Sequence, residues 1–509
     1  MRHPTPATKA VSMGFMHWAR LRNRWYLVAS LLIVGLSVGF LAGQGKHVWA
    51  QPAGPTVLDP HLAVRTAAVG LVTPVSMAFL GVNDMLVSEK DTGKVQRVIG
   101  GIITSTVLDL AVNFASERGL LGIALHPNFP ADPRVYLYWT ESTTGDDTDD
   151  LAEVPLLGNR VDSFVWDGNT LMFNENLIQL RAFQADEGQP LRGNHDGGVL
   201  RFGPDGKLYI IIGDTGRRGQ TQNLPAGPFT PPMPDDQFGG PEPDDAHLTG
   251  VILRLNDDGT TPTDNPFFTV GGTIGGEVGA NIQKIFAYGI RNSFGMAFDP
   301  RSGKLWTQEN ADDAFDEINM VEPGFNGGWI QIMGPVERIA EFKEIELTLP
   351  PSGGLPGAGL QQIRWPPDNI ADTPVQALSR LFTLPGSRYA DPQFSWRFAV
   401  APAGIGFLNS QALGLRYKGD LFVGAARTTL EGGYLFRFNL THDRQKIAVR
   451  DLRLTDRVAD NFAKFDITES ESLLFGRNFG IGTDVQTGPN GNLFVVSLSN
   501  GAIYEIFRP

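Results

Sequence analysis

One histidine of this 509-residue chain stands where a catalytic base could work. His195 lies in Arg192-Gly193-Asn194-His195-Asp196-Gly197-Gly198, and the small residues around it let the backbone approach a ligand closely. The phrase from Gly198 to Asp214 reads as a hairpin, so its far end returns Asp214 to the side of His195. A carboxylate on one imidazole nitrogen fixes the tautomer and leaves the other nitrogen free as a base. The residues alone equally fit a capped turn with a surface histidine. The other histidines after residue 50 carry less: His61 and His442 read as surface residues, His126 before Pro127 as a turn residue, and His247 as the rim of a long acidic loop. Arg291 and Asn292, set among glycines in Tyr288-Gly289-Ile290-Arg291-Asn292-Ser293-Phe294-Gly295, offer donors for a planar anionic ligand, or a structural salt bridge. Asp312, Asp313, Asp316 and Glu317 read as one loop of hard oxygen ligands that suits Ca2+, or as a solvated acidic loop. There is no cysteine, so disulfides, thiolate metal sites and thiol nucleophiles are excluded.

The elements that must position these residues repeat along the chain. The phrase is an apolar strand, a turn of the Pro-Asp-Gly type, and a second strand ending in small or acidic residues. Clear copies run from Gly198 to Asp214, Gly295 to Glu309 and Val485 to Val496; looser ones start near Val75, Leu121 and Ile405. Proline presets φ and glycine supplies positive φ, so each copy is a hairpin by mechanism. Further strand-like stretches follow, such as Lys94 to Ile99, Gly433 to Phe438 and Ala502 to Phe507. Six copies, each with flanking strands, predict an all-β, six-bladed β-propeller over residues 60–509. Long inserted loops at 215–249 and 334–397 absorb the surplus length and are expected to shape the pocket, the second with a short helix near Thr373 to Phe382. Ligands of such folds sit at one end of the central channel, on loops from several blades. A two-sheet sandwich with coincidental hairpins is the competing architecture.

Composition agrees with many short strands: 60 Gly, 35 Pro, 10% aromatic and only 19% charged residues. The formal charge is −13, yet residues 1–50 carry Arg2, Lys9, Arg20, Arg22, Arg24 and Lys46 and no acid, so the remainder is more acidic still. That body has no electrostatic footprint for nucleic acid or anionic lipid. Basic residues, an apolar run from Trp25 to Ala42 and Val48-Trp49-Ala50 before Gln51 describe a secretory signal, or a retained N-terminal membrane anchor because the run is long. Both place the body outside the cytoplasmic membrane, periplasmic or secreted. Residues 51–59 read as a linker.

In order, Leu120-Leu121-Gly122-Ile123-Ala124-Leu125-His126-Pro127-Asn128-Phe129, the His195-x-Gly-Gly hairpin, Leu253-Arg254-Leu255-Asn256-Asp257-Asp258-Gly259, Tyr288-Gly-x-Arg291-Asn292 and Asp316-Glu317-Ile318-Asn319 resemble the soluble quinoprotein glucose/sorbosone dehydrogenases. The resemblance spans roughly Val64 to Phe507. It implies a six-bladed propeller that binds pyrroloquinoline quinone with Ca2+, oxidises the C1 hydroxyl of an aldose to the lactone, or oxidises a related alcohol, and passes electrons to an acceptor the motifs do not name. By the same resemblance His195 is the base and Asp214 its orienting carboxylate. Arg291 and Asn292 are quinone contacts, as are Glu117, where a glutamine is usual, and Arg427, where a lysine is usual. Ala311 and Asp312 offer backbone carbonyls to calcium. Two departures stand out. The family's last blade often brings arginines to the quinone carboxylates just before Asp484-Val485; here that stretch reads Gly480-Ile481-Gly482-Thr483. The arginine after Gly-Gly in the histidine hairpin is Val199. Arg477, Arg217 and Arg218 are candidate substitutes. The alternative expectation is a calcium-binding propeller of the same ancestry without quinone, acting as a hydrolase or a binding module.

Overall fold

The computed structural model describes residues 54–183, 191, 193–216, 223, 244–348, 367–427 and 432–509. Residues 1–50, with the expected signal or anchor, lie outside them, as do Arg192, Arg217 and Arg218.

The fold is an all-β propeller, and its strands form six sheets. Each hairpin phrase supplies the first two strands of one sheet: Pro74–Gly81 with Asp84–Glu89 (sheet I), Leu120–Leu125 with Arg134–Thr140 (II), Leu200–Phe202 with Leu208–Ile212 (III), Met296–Phe298 with Leu305–Glu309 (IV), Pro402–Phe407 with Leu421–Ala425 (V), and Gly482–Thr487 with Leu493–Ser497 (VI). The first strand of each pair is an edge, and these edges contact one another in a closed sequence from I to VI and back to I. Their approach is close enough to demand glycine. A Cβ on Gly406 would lie 1.9 Å from the Val485 carbonyl oxygen, and one on Gly122 2.1 Å from that of Gly198.

Side chains alternate across a strand, and both faces of these sheets are covered, which explains the unbroken apolar runs. Within Leu208–Ile212, Leu208, Ile210 and Ile212 pack with residues of sheet II such as Tyr136 and Val161. Tyr209 and Ile211 pack on Met296 and Leu305 of sheet IV. Equivalent cores fill the other junctions, from Met77 against Val496 to Phe407 against Trp306.

Sheet VI joins the two ends of the described chain: Ala63–Val69 pairs antiparallel with Ala502–Phe507. Part of the expected linker is also a strand. Thr56–Val57 pairs with Gly476 and Arg477 at the edge of sheet V, because that strand has open hydrogen-bonding groups there.

The helix expected near Thr373 is Pro374–Arg380, capped by the Thr373 side chain and started by proline. Two helices that the hairpin pattern did not foretell, Phe268–Ile274 and Gly276–Lys284, lie between the third and fourth strands of sheet III. Another, Ile339–Thr348, belongs to a separate apolar cluster that includes Phe315, Trp329, Ile332 and Phe342. Among the described residues no helix is long and apolar enough to cross a membrane.

Candidate functional site

Three neighbouring sheets meet through one carboxylate. Glu117, just before the first strand of sheet II, accepts the backbone N–H of His195 at 2.5 Å and the Asn292 side-chain amide at 3.3 Å. His195 precedes the first strand of sheet III and Asn292 that of sheet IV, so the anchor gathers the entries of three edge strands. His195 itself has φ +64°, a left-handed conformation, with Gly197 beside it at the same angle. Gly213 is packed so closely that a Cβ there would lie 2.7 Å from the His195 carbonyl oxygen.

The expected pair forms, and it is buried. His195 Nδ1 lies 2.5 Å from Asp214 Oδ1, with residue exposures of 3% and 0%. A carboxylate only accepts, so the proton of this hydrogen bond sits on Nδ1, the arrangement that leaves Nε2 as the position for a base. The same Oδ1 accepts the Gly216 N–H at 2.8 Å, and Oδ2 accepts the Trp329 indole N–H at 2.9 Å. Burial alone would raise the Asp214 carboxyl. The charge and hydrogen bond of His195, the Arg291 guanidinium and the Gly216 N–H outweigh it and hold Asp214 below its ordinary value.

Trp329 is the residue that sequence reasoning missed. It lies in Gly327-Gly328-Trp329, where the Gly-Gly pair signals a close approach, and its backbone N–H donates to the Gly289 carbonyl. Its ring also lies 5.5 Å from the Arg291 guanidinium. Arg291 is buried, donates to the Asn310 carbonyl at 2.6 Å and reaches within 3.6 Å of Asp312. Around His195 several buried polar atoms have no partner among the described residues: Arg291 Nε, Asn292 Oδ1, Asn310 Oδ1 and Thr215 Oγ1. An orphaned polar atom is costly, so this set is suited to a polar ligand.

Other expected site residues fall differently. Arg427 is exposed and stacks on Tyr434 at 5.5 Å; no hydrogen bond or ion pair among the described residues joins it to the His195 group. Arg477 pairs in register with that same Tyr434, on the strand beyond. Asp316 and Glu317 are not in the acidic loop but on the strand Ala314–Val321. Asp316 accepts the backbone N–H groups of Ala311, Val400 and Ala401, a structural brace. Burial pushes Asp316 up to about 6 and Glu317 up to about 7. His247 is buried rather than on a rim.

The Ala311 N–H is spent on Asp316, and the Asp312 carbonyl already accepts the Lys464 ammonium at 3.0 Å. The side chains of Asp312 and Asp313 instead gather with Glu346, their ligand atoms all within 4.8 Å of one another. Near the arginine-free stretch Gly480–Thr483 a cation does arrive, from Arg201 of sheet III. It is neutralised by the buried Asp484 at 2.7 Å.

A family model described as glucose / sorbosone dehydrogenase matches residues 71–338, just over half of the chain. The chain is 32% identical over 265 residues to quinoprotein glucose dehydrogenase B of Acinetobacter calcoaceticus, covering 50% of this chain and 49% of that protein. It is 26% identical over 391 residues to aldose sugar dehydrogenase YliI of Escherichia coli strain K12, covering 77% of each. The solved structure of the PQQ-bound form of the aldose sugar dehydrogenase from Streptomyces coelicolor matches with a TM-score of 0.51 at 24% identity, covering 90% of this chain and 99% of that chain, which shows the shared fold.

Proposed function

The chain belongs to the glucose/sorbosone dehydrogenase family, and from that premise we propose that it is a pyrroloquinoline quinone-dependent dehydrogenase of sugars, carried on a six-bladed propeller over residues 60–509. The observation that carries the reading is the buried His195–Asp214–Trp329 chain beside polar atoms that lack partners among the described residues.

The residues present fit a planar, multiply anionic group: Arg291 and Asn292 offer a guanidinium and an amide, and Glu117 fixes the orientation of Asn292. These residues would hold the quinone, with Arg427 at the periphery. When bound, the quinone supplies the two-electron acceptor and Ca2+ a polarising charge. The chain's own residues handle the proton. His195 Nε2 takes it from the sugar hydroxyl, because hydride cannot leave the carbon readily while that proton remains. Asp214 stabilises the imidazolium that results, and Gly216 and Trp329 stop the carboxylate from turning away. Residues 1–50 act as a secretory signal or N-terminal anchor and place the enzyme in the periplasm or outside the cell.

The test is reconstitution with the quinone and Ca2+, followed by the absorbance spectrum and an assay with aldoses and an artificial electron acceptor. Quinone binding with activity that His195→Ala abolishes is the expected result. Absence of quinone binding would favour a propeller of the same ancestry without quinone. That second reading draws on the missing arginines at 480–483 and the neutralised Arg201.

A further inference from the structure

Glu346 sits on the buried face of the helix Ile339–Thr348 together with Ile339, Phe342 and Ile345. Those three apolar neighbours lock the helix into the cluster that also holds Phe315 and Trp329. A carboxylate is costly in such a place unless something pairs it. Glu346 is 1% exposed, and neither of its carboxylate oxygens has a hydrogen-bond partner among the described residues. Asp313, 2% exposed, likewise keeps Oδ2 without a partner. Asp312 completes the group.

We infer that the side chains of Asp312, Asp313 and Glu346 form a divalent-cation site of the Ca2+ type. This extends the calcium part of the proposed function, but it assigns the ion to side chains, one of them supplied by the inserted segment at 334–397, rather than to the 311–312 backbone. Three features support it. The donors are all hard oxygens, with no imidazole or thiolate among them, which suits Ca2+ and not zinc. Their spread fits one ion: oxygens about 2.4 Å from a common Ca2+ lie at most about 4.8 Å apart, and these all lie within 4.8 Å. The charges are also incompletely matched. Lys464 pairs with Asp313 Oδ1 and the Asp312 carbonyl, and Arg291 approaches Asp312, leaving the Glu346 carboxylate unbalanced. Lys464 is about one-third exposed and acts as an internal competitor that a divalent ion would displace.

The test uses the full protein without quinone, so that it stands or falls apart from the dehydrogenase reading. After treatment with a chelator, Ca2+ is titrated by calorimetry and its effect on the thermal midpoint is followed, with Tb3+ luminescence as a second probe. Saturable binding, a raised midpoint, at least ~10-fold weaker binding in Glu346→Gln and Asp313→Asn, and tighter binding in Lys464→Gln are expected. Glu346→Gln removes a buried charge without changing shape, so its metal-free midpoint should be no lower than that of the wild type, which separates lost binding from lost folding. No thermal shift in the wild type, or wild-type affinity in a folded Glu346→Gln protein, overturns the inference.

Discussion

Asp214→Asn is the sharpest probe of the proton-handling group. In the wild type three donors converge on a group that only accepts: His195 Nδ1–H at 2.5 Å, Gly216 N–H at 2.8 Å and Trp329 Nε1–H at 2.9 Å. Asparagine offers one acceptor and one NH2. If its oxygen stays with His195 and Gly216, the NH2 meets the Trp329 indole N–H. If it flips, the NH2 faces His195, drives the imidazole proton to Nε2 and removes the base. In both cases the imidazolium of the transition state loses its charged partner. A hydrogen bond to a charged group contributes about 1.5–3 kcal/mol. At 1.36 kcal/mol per tenfold, kcat/KM should fall roughly 10- to 150-fold. Trp329→Phe alone should cost less, because two donors remain. In the Asp214→Asn background it should cost less still, since the indole N–H then opposes an NH2, giving a coupling of at least ~0.5 kcal/mol between the two positions. The assay is steady-state kinetics at saturating quinone, with urea denaturation as the fold control. Stability adds a check of sign. The Asp214 carboxyl is held below 3.8, so its stabilising contribution is complete above pH 3.8 and is lost as pH falls through the lower folded value. Asp214→Asn should flatten that acid limb. A rate within about twofold of wild type, or strictly additive costs for the two substitutions, would refute the reasoning.

His195→Ala should lower turnover by at least ~10²-fold while leaving quinone and Ca2+ binding in place, which spectral titration can check; full activity in that variant would remove His195 as base. Asp196, next to the base, is pushed up to about 6 by burial, with Asn159 and Arg118 offsetting only part of the effect. Between pH 3.8 and about 6 the folded state therefore binds more protons than the unfolded one, and stability falls as pH rises through that window, by roughly 3 kcal/mol at most. Urea midpoints at pH 4 and pH 7 should show that slope in the wild type and a smaller one in Asp196→Asn; identical slopes would discount the assignment. Because Ala63–Val69 closes sheet VI against Ala502–Phe507, chain halves cut near residue 250 should not fold independently, and cooperative unfolding of an isolated half would contradict closure.

The hairpins were legible because their signal is local. A turn residue set flanked by apolar runs lies within some twenty positions, and all six phrases became the opening strands of sheets. The His195–Asp214 pair was legible for the same reason, since it spans one hairpin. What could not be read was set by distant chain. Asp312 to Glu317 looks like one acidic loop, yet Asp316 is claimed by the N–H groups of Val400 and Ala401 from the start of another sheet. Arg201 carries no local mark that Asp484, from sheet VI, would neutralise it. Arg427 was carried over by position, and its guanidinium lies 5.5 Å from the Tyr434 ring.

This division of signal follows a division of labour in the molecule. The ring of edge strands gathers Glu117, His195, Asp214 and Asn292, all within or directly before repeated hairpins. Two further groups come from the stretch after the Ala314–Val321 strand of sheet IV: Trp329, whose indole N–H donates to the carboxylate of Asp214, and Glu346 beside Asp312. Trp329 belongs to an apolar cluster that also contains Ile332, Ile339 and Phe342, and Glu346 lies on the buried face of the helix that carries the last two. A change in packing there moves the indole and the Glu346 carboxylate while the ring hydrogen bonds stay intact. Phe342→Ala removes a fully buried ring from that cluster and should cost about 3–5 kcal/mol of stability. It should also weaken Ca2+ binding and lower kcat together, with Glu117, His195 and Asn292 untouched. Loss of stability with both readouts unchanged would mean that the inserted segment covers the site without positioning it.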